Sequence, residues 1–185
     1  MEKLKGNEPS RVVEYVTKCP ACGKATFKVN EYLYDVPLLG KIILTVGRCD
    51  ACGYKFNDVK LAEPRGPRRL IYKVESPRDV NTIILKSASA RVVIPELGLE
   101  MSPGPASEGF ISTIEGVLRR FMDILDFLCS QENIKRDTCW NAKRALEEAI
   151  EGRRKFTLVI EDPEGASKIL SDSVVEEPLK PSTLS

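Results

Sequence analysis

The chain has 185 residues, 42% of them hydrophobic and 30% charged, which suits one medium domain or two small ones and is too apolar for full disorder. It contains no histidine, which excludes Ser-His-Asp and Cys-His catalysis, every histidine-containing metal site and the usual pH switch. Uninterrupted apolar runs reach only about three residues, as in Ile42-Ile43-Leu44, so no segment reads as a membrane span.

The net charge of +1 is unevenly spread, with 13 Lys and Arg against 8 Asp and Glu in residues 1–70, and 15 against 19 in the remainder. The two halves therefore read as separate units. Residues 1–10 are expected to form a flexible N-terminus. Met1 to Gly6 lack the apolar core of a secretion signal, which points to the cytoplasm and to reduced cysteines.

Residues 11–62 read as a metal-binding ribbon. Cys19-Pro20-Ala21-Cys22-Gly23 and Cys49-Asp50-Ala51-Cys52-Gly53 repeat one C-x-A-C-G pattern with 26 residues between the pairs. Two cysteines three apart let a tight turn aim both sulfurs at one point, and the following glycine supplies the positive φ that such a turn requires. Two knuckles make a closed, tetrahedral, all-sulfur site for one structural zinc, held by Cys19, Cys22, Cys49 and Cys52; iron and a redox pair are the competing readings. The gap exceeds the usual ribbon spacing of about 15–20 residues. It predicts a long hairpin, Phe27 to Leu33 out and Lys41 to Val46 back. Val36, Leu38 and Leu39 fall in its turn, where they either pack on the neighbouring domain or form an exposed binding lip.

Past the ribbon, Arg65, Arg68 and Arg69 form the densest basic cluster, with Lys55, Lys60, Tyr54 and Phe56 nearby. Residues 63–172 then show short strand-like pieces at 69–74, 83–86, 90–94, 97–101 and 156–160, separated by Pro, Gly and Ser, which suggests a small sandwich or barrel. A helical hairpin interrupts it at about 112–151. Ser112 and Glu115 read as a capping box, apolar residues from Ile114 to Leu128 recur at helical spacing, and a second helix runs from near Asn133 to about Glu151. Cys129, Cys139 and Trp140 are expected to pack as inert residues of this hairpin. Residues 173–185, with Pro178 and Pro181, read as a loose tail.

An ordered series of segments is similar to the ZPR-type zinc-finger family, whose eukaryotic members bind translation elongation factor one-alpha. The series comprises both knuckles, Asp35-Val36-Pro37, Lys86-Ser87, Pro95-Glu96-Leu97, Ser112-Thr113-Ile114-Glu115-Gly116 and Asp162-Pro163-Glu164-Gly165-Ala166-Ser167. The resemblance implies a mostly β protein, a four-cysteine zinc ribbon followed by a double-stranded β-helix, jelly-roll-like domain carrying a helical hairpin. It also implies the single-module form found in archaea, since eukaryotic members carry the module twice. The implied function is non-enzymatic: binding the elongation-factor GTPase as a folding or assembly helper, through surfaces such as the hairpin lip and the basic cluster. The alternative is a ribbon that binds nucleic acid or the ribosome, with Arg65, Arg68 and Arg69 tracking phosphates. A metalloenzyme is disfavoured because four sulfurs leave no position for a reactive water.

Overall fold

The computed structural model describes residues 9–131 and 136–179. Its first four strands, β1 (Ser10–Thr17), β2 (Phe27–Val36), β3 (Gly40–Cys49) and β4 (Lys55–Leu61), form an antiparallel meander in chain order. The β2–β3 hairpin stays in register from Phe27 opposite Cys49 to Val36 opposite Gly40. At about 3.4 Å per residue it separates the knuckles from the turn by roughly 30 Å. The expected hairpin thus forms, longer by several residues at both ends.

The two ends bury opposite faces. At the knuckle end Phe27 and Val29 pack with Cys19 and Cys49, covered by Tyr54 and Phe56. At the turn end Leu39, Ile42, Val59 and Leu61 pack on Leu85 and Ala166 of the second domain. Side chains alternate along a strand, so the two faces are covered by different partners, the knuckles at one end and the second domain at the other.

The second domain is a jelly roll of two sheets. One has five strands ordered β12 (Val175–Pro178), β5 (Arg68–Val74), β10 (Phe156–Asp162), β7 (Arg91–Ile94) and β8 (Leu99–Met101). The other orders β11 (Lys168–Ile169), β6 (Ile83–Lys86) and β9 (Phe110–Thr113). Leu70, Tyr72, Val92, Ile94, Leu158 and Ile160 from the first sheet meet Ile84 and Ile169 from the second. Helices α1 (Ile114–Cys129) and α2 (Arg136–Ile150) close the core with Ile114, Val117, Leu118, Phe121, Leu146 and Ala149. The five expected strands are present as β5, β6, β7, β8 and β10, with β8 shortened because Leu97 and Gly98 belong to a 3-10 turn, and the helical hairpin lies between β9 and β10; β9, β11 and β12 are strands the sequence did not suggest.

Several local expectations are corrected. Thr113, not Ser112, caps α1, its hydroxyl accepting from the Gly116 N–H at 3.1 Å; Ser112 is instead the third residue of β9. The expected start of α2 at Asn133 lies outside the described residues. Cys129 and Cys139 are not inert packing thiols but a disulfide with Cα atoms 5.8 Å apart, and Trp140 is 69% exposed instead of buried. The expected loose tail contains a strand among its described residues. Val175 to Pro178 pair with β5 as an edge strand, where proline costs no ladder hydrogen bond, and Leu179 is buried behind it.

Candidate metal centre and the joint beneath it

The knuckles lie in the β1–β2 and β3–β4 connections and are near copies of each other. In each, the glycine N–H donates to the carbonyl of the first cysteine, Gly23 to Cys19 at 2.8 Å and Gly53 to Cys49 at 3.0 Å. In each, the first cysteine's N–H donates onward, Cys19 to the Lys24 carbonyl and Cys49 to that of Tyr54, both at 2.8 Å. Both glycines adopt the left-handed conformation that closes the turn, φ 72° and 76°.

The four sulfurs lie within 4.8 Å of one another, with Cys19 to Cys52 and Cys22 to Cys49 both at 3.7 Å. A tetrahedron with zinc–sulfur bonds of about 2.3 Å has edges of about 3.8 Å, so the cluster already has the dimensions of one zinc ion. The Thr26 hydroxyl beside Cys49, 3.3 Å away, lowers that thiol to about 6. At Cys52 the Tyr54 N–H favours the thiolate, but burial and the three neighbouring sulfurs outweigh it and push the thiol up to about 12. Four sulfurs this close ionise together only around a cation. The site is suited to one zinc and offers it a closed, all-sulfur shell.

The other expected site residues are brought to different fates. Leu39 is 4% exposed and packs in the joint, with Val36 partly covering it, so Leu39 is not part of any lip. Leu38 is 83% exposed with φ 70°, a left-handed conformation unfavourable for a leucine. Lys168 holds this turn by donating to the Leu38 and Leu39 carbonyls at 2.9 and 3.0 Å.

The basic cluster is largely neutralised. Arg65 and Arg68 both pair with Glu176 of β12, at 3.4 and 3.5 Å. Arg69 lies 3.5 Å from Glu161, which also takes Arg91 at 2.9 Å, and Arg91 reaches on to Glu100. Signs therefore alternate across four neighbouring strands, from Arg69 on β5 through Glu161 on β10 and Arg91 on β7 to Glu100 on β8. Opposite charges across strands stabilise a sheet. Arginines so engaged have little charge left to offer a phosphate chain.

Residues to which the sequence assigned no role build the joint between the domains. Asp162, fully buried, accepts from the Ser87, Ser167 and Ser89 hydroxyls at 2.9, 2.6 and 3.1 Å, and from the Glu164 and Ala166 N–H groups, each at 2.9 Å. Burial pushes its carboxyl up, but the hydrogen bonds from Ser167, Ser87, Glu164 and Ser89 prevail and hold it below the usual carboxylate range. The turn so fixed accepts the ribbon, Leu61 N–H donating to the Ala166 carbonyl at 3.0 Å and Arg65 N–H to that of Gly165 at 3.1 Å. Gly165 sits at φ 68°, and a Cβ there would collide with the Gly66 carbonyl. Lys86, 2% exposed, donates to the Ser87 carbonyl; burial pulls its ammonium below the usual lysine range, and the charges of Asp162 and Asp58 offset this only in part. The legible signal was the Asp-Pro-x-Gly-x-Ser string itself, since Asp and Ser side chains bind nearby backbone in turns.

Among known proteins, the ZPR1 zinc-finger domain matches residues 11–65 and the ZPR1 jelly-roll domain residues 78–182. An uncharacterized ZPR1-like protein of Methanocaldococcus jannaschii is 38% identical over 162 residues, 86% of this chain and 82% of that protein. One from Pyrococcus horikoshii is 34% identical, covering 94% of this chain and 79% of its own. The zinc finger chaperone zpr1 of Schizosaccharomyces pombe is 33% identical over 84% of this chain, but the match spans only 35% of that protein. Both domain matches, in order and on the observed ribbon and jelly roll, show that the chain belongs to the ZPR1 family and carries one copy of its zinc-finger and jelly-roll pair.

Proposed function

We propose that this chain is a non-catalytic binding protein that helps the translation elongation factor GTPase fold or assemble in the cytoplasm, with zinc serving as scaffold. The observation that carries the reading is membership of a family in which a relative similar along most of this chain is named a chaperone. Two features of the molecule support it. The four sulfurs fill the coordination sphere of a zinc, leaving no position for a reactive water. The buried carboxylate Asp162 is spent on five scaffold hydrogen bonds. Such a helper acts by differential binding: it stabilises the client conformation it holds best, by about 2.7 kcal/mol at a hundredfold excess over Kd. Leu38, strained and exposed at the hairpin turn, is the first candidate contact, with Val36 beside it. Arg65, Arg68 and Arg69 form a secondary surface that requires the client to displace Glu176 and Glu161.

The test is calorimetric titration of the zinc-loaded protein with the purified elongation factor, bound to GDP and to a non-hydrolysable GTP analogue. Micromolar or tighter binding, stronger to the GDP or nucleotide-poor form, is expected. No heat in either state removes the proposal, and equal affinities retain the partnership while removing the nucleotide preference.

A further inference from the structure

We infer that Cys129 and Cys139 form a thiol–disulfide exchange site whose redox state sets the rigidity of the outer end of the helical hairpin. This stands independently of any client.

The hairpin is anchored at one end only. On α1 the fully buried side chains stop at Phe121, and on α2 they begin at Leu146. Met122 and Leu125 make partial contact with the core, whereas Ile124, Phe127, Leu128 and Trp140 stand exposed. Among the described residues, two links hold the outer turns together: the Asp126–Lys143 ion pair at 2.5 Å and the disulfide. A half-exposed ion pair stabilises little. The disulfide joins the last residue of α1 to the first turn of α2 and is the main tie. Helices of 16 and 15 residues are marginal in water without tertiary support, so the outer turns depend on it.

Both sulfurs belong to half-buried residues, open to attack. A dithiol reductant would act by conventional exchange. Its thiolate attacks one sulfur of the pair, the other leaves as a cysteine thiolate, and the reductant's second thiol resolves the mixed disulfide. The chain gains two thiols, and the reductant leaves as its own disulfide, having supplied two electrons and two hydrogens. The reverse reaction with an oxidised dithiol restores the tie. The zinc ligands lie on another domain, and thiolates bound to zinc are not free to take part. Reduction leaves the base of each helix packed and lets the outer turns fray, so Ile124, Phe127, Leu128 and Trp140 pass from a rigid to a mobile display.

Hydrogen exchange of the zinc-loaded protein tests this, before and after treatment with tris(carboxyethyl)phosphine, which becomes its oxide by taking the oxygen of one water molecule while that water's two hydrogens complete the two thiols. Amides of residues 123–129 and 139–144 should exchange at least tenfold faster once reduced, with Val117–Phe121 and β10 unchanged and zinc retained by elemental analysis. The Cys129→Ser/Cys139→Ser variant should match the reduced protein and ignore the reductant. Unchanged protection on reduction overturns the inference, as does a wild-type protein whose thiols at 129 and 139 stay free in oxidised glutathione.

Discussion

Asp162→Asn isolates the chemistry of the joint because it keeps the volume and changes only charge and hydrogen-bond sense. The new amide NH2 must occupy one of two oxygen positions. At Oδ1 it faces the Glu164 N–H and the Ser89 hydroxyl; at Oδ2 it faces the Ala166 N–H and the hydroxyls of Ser87 and Ser167. A hydroxyl can turn to accept, but a backbone N–H cannot, so either orientation orphans one N–H at about 1–3 kcal/mol. The remaining hydrogen bonds change from charge-assisted to neutral and lose roughly half their strength. The expected loss is about 3–5 kcal/mol, within the range for breaking a buried charged network. Urea denaturation of the zinc-loaded protein, followed by circular dichroism, reads it directly. The pH dependence gives an independent check. Because the folded carboxyl is held below its usual range, its contribution is present in full above the unfolded value of about 3.9 and is lost as pH falls through the folded one. The difference between wild type and variant should therefore shrink on acidification, read as a difference because acid also protonates the zinc thiolates of both. A loss below about 1 kcal/mol at neutral pH would refute the account of the joint.

The remaining expectations are shorter. Cys22→Ser or Cys52→Ser should abolish stoichiometric zinc by elemental analysis and unfold β1–β4, because such sites contribute about 10–16 kcal/mol of binding energy that doubles as folding energy. Gly165→Ala should cost at least about 1–3 kcal/mol in thermal or chemical denaturation from its left-handed backbone alone, with the Gly66 clash added. Leu38→Gly relieves that strain, so stability should stay within about 1 kcal/mol of wild type while elongation-factor affinity falls; full affinity would remove Leu38 as a contact. Replacing Arg65, Arg68 and Arg69 with Ala should change the salt dependence of RNA binding by less than the slope of about 0.7 per phosphate expected for even one single-strand contact, since glutamates already hold them.

Much of this was legible because its causes are local. Ligand spacing places Cys19, Cys22, Cys49 and Cys52, and β-branched runs such as Val92-Val93-Ile94 mark buried strands. What escaped depends on distant partners. The ion pair of Arg65 with Glu176 joins residues 111 apart, so no window of sequence shows that the cluster is neutralised. The strand Ser10–Thr17 has no buried residue and therefore no alternating pattern to read. Leu38 and Leu39 have the same side chain in adjacent positions, and only the backbone at the turn sends one into the joint and the other into solvent. The 129–139 disulfide required knowing that two helices return side by side.

The joint also explains why two of the resembling segments, Lys86-Ser87 and Asp162 to Ser167, lie far apart along the chain. Lys86 and Ser87 close β6, Asp162 to Ser167 follow β10, and Leu61 and Arg65 leave the ribbon, yet they converge on one turn. Zinc bound by the four sulfurs would fix the ribbon at its far end, where Phe27 and Val29 pack on the knuckles, and would not reach the turn end roughly 30 Å away. There the ribbon's orientation rests on Leu39, Ile42, Val59 and Leu61 against Leu85 and Ala166, and on the two backbone bonds to the Asp162 turn. Two different means thus act at the two ends: a metal site where the sheet buries only a small core, and a buried carboxylate where the ribbon meets the second domain. A surface that spans both domains, such as Leu38 beside Lys168, keeps its shape only while the second of these holds.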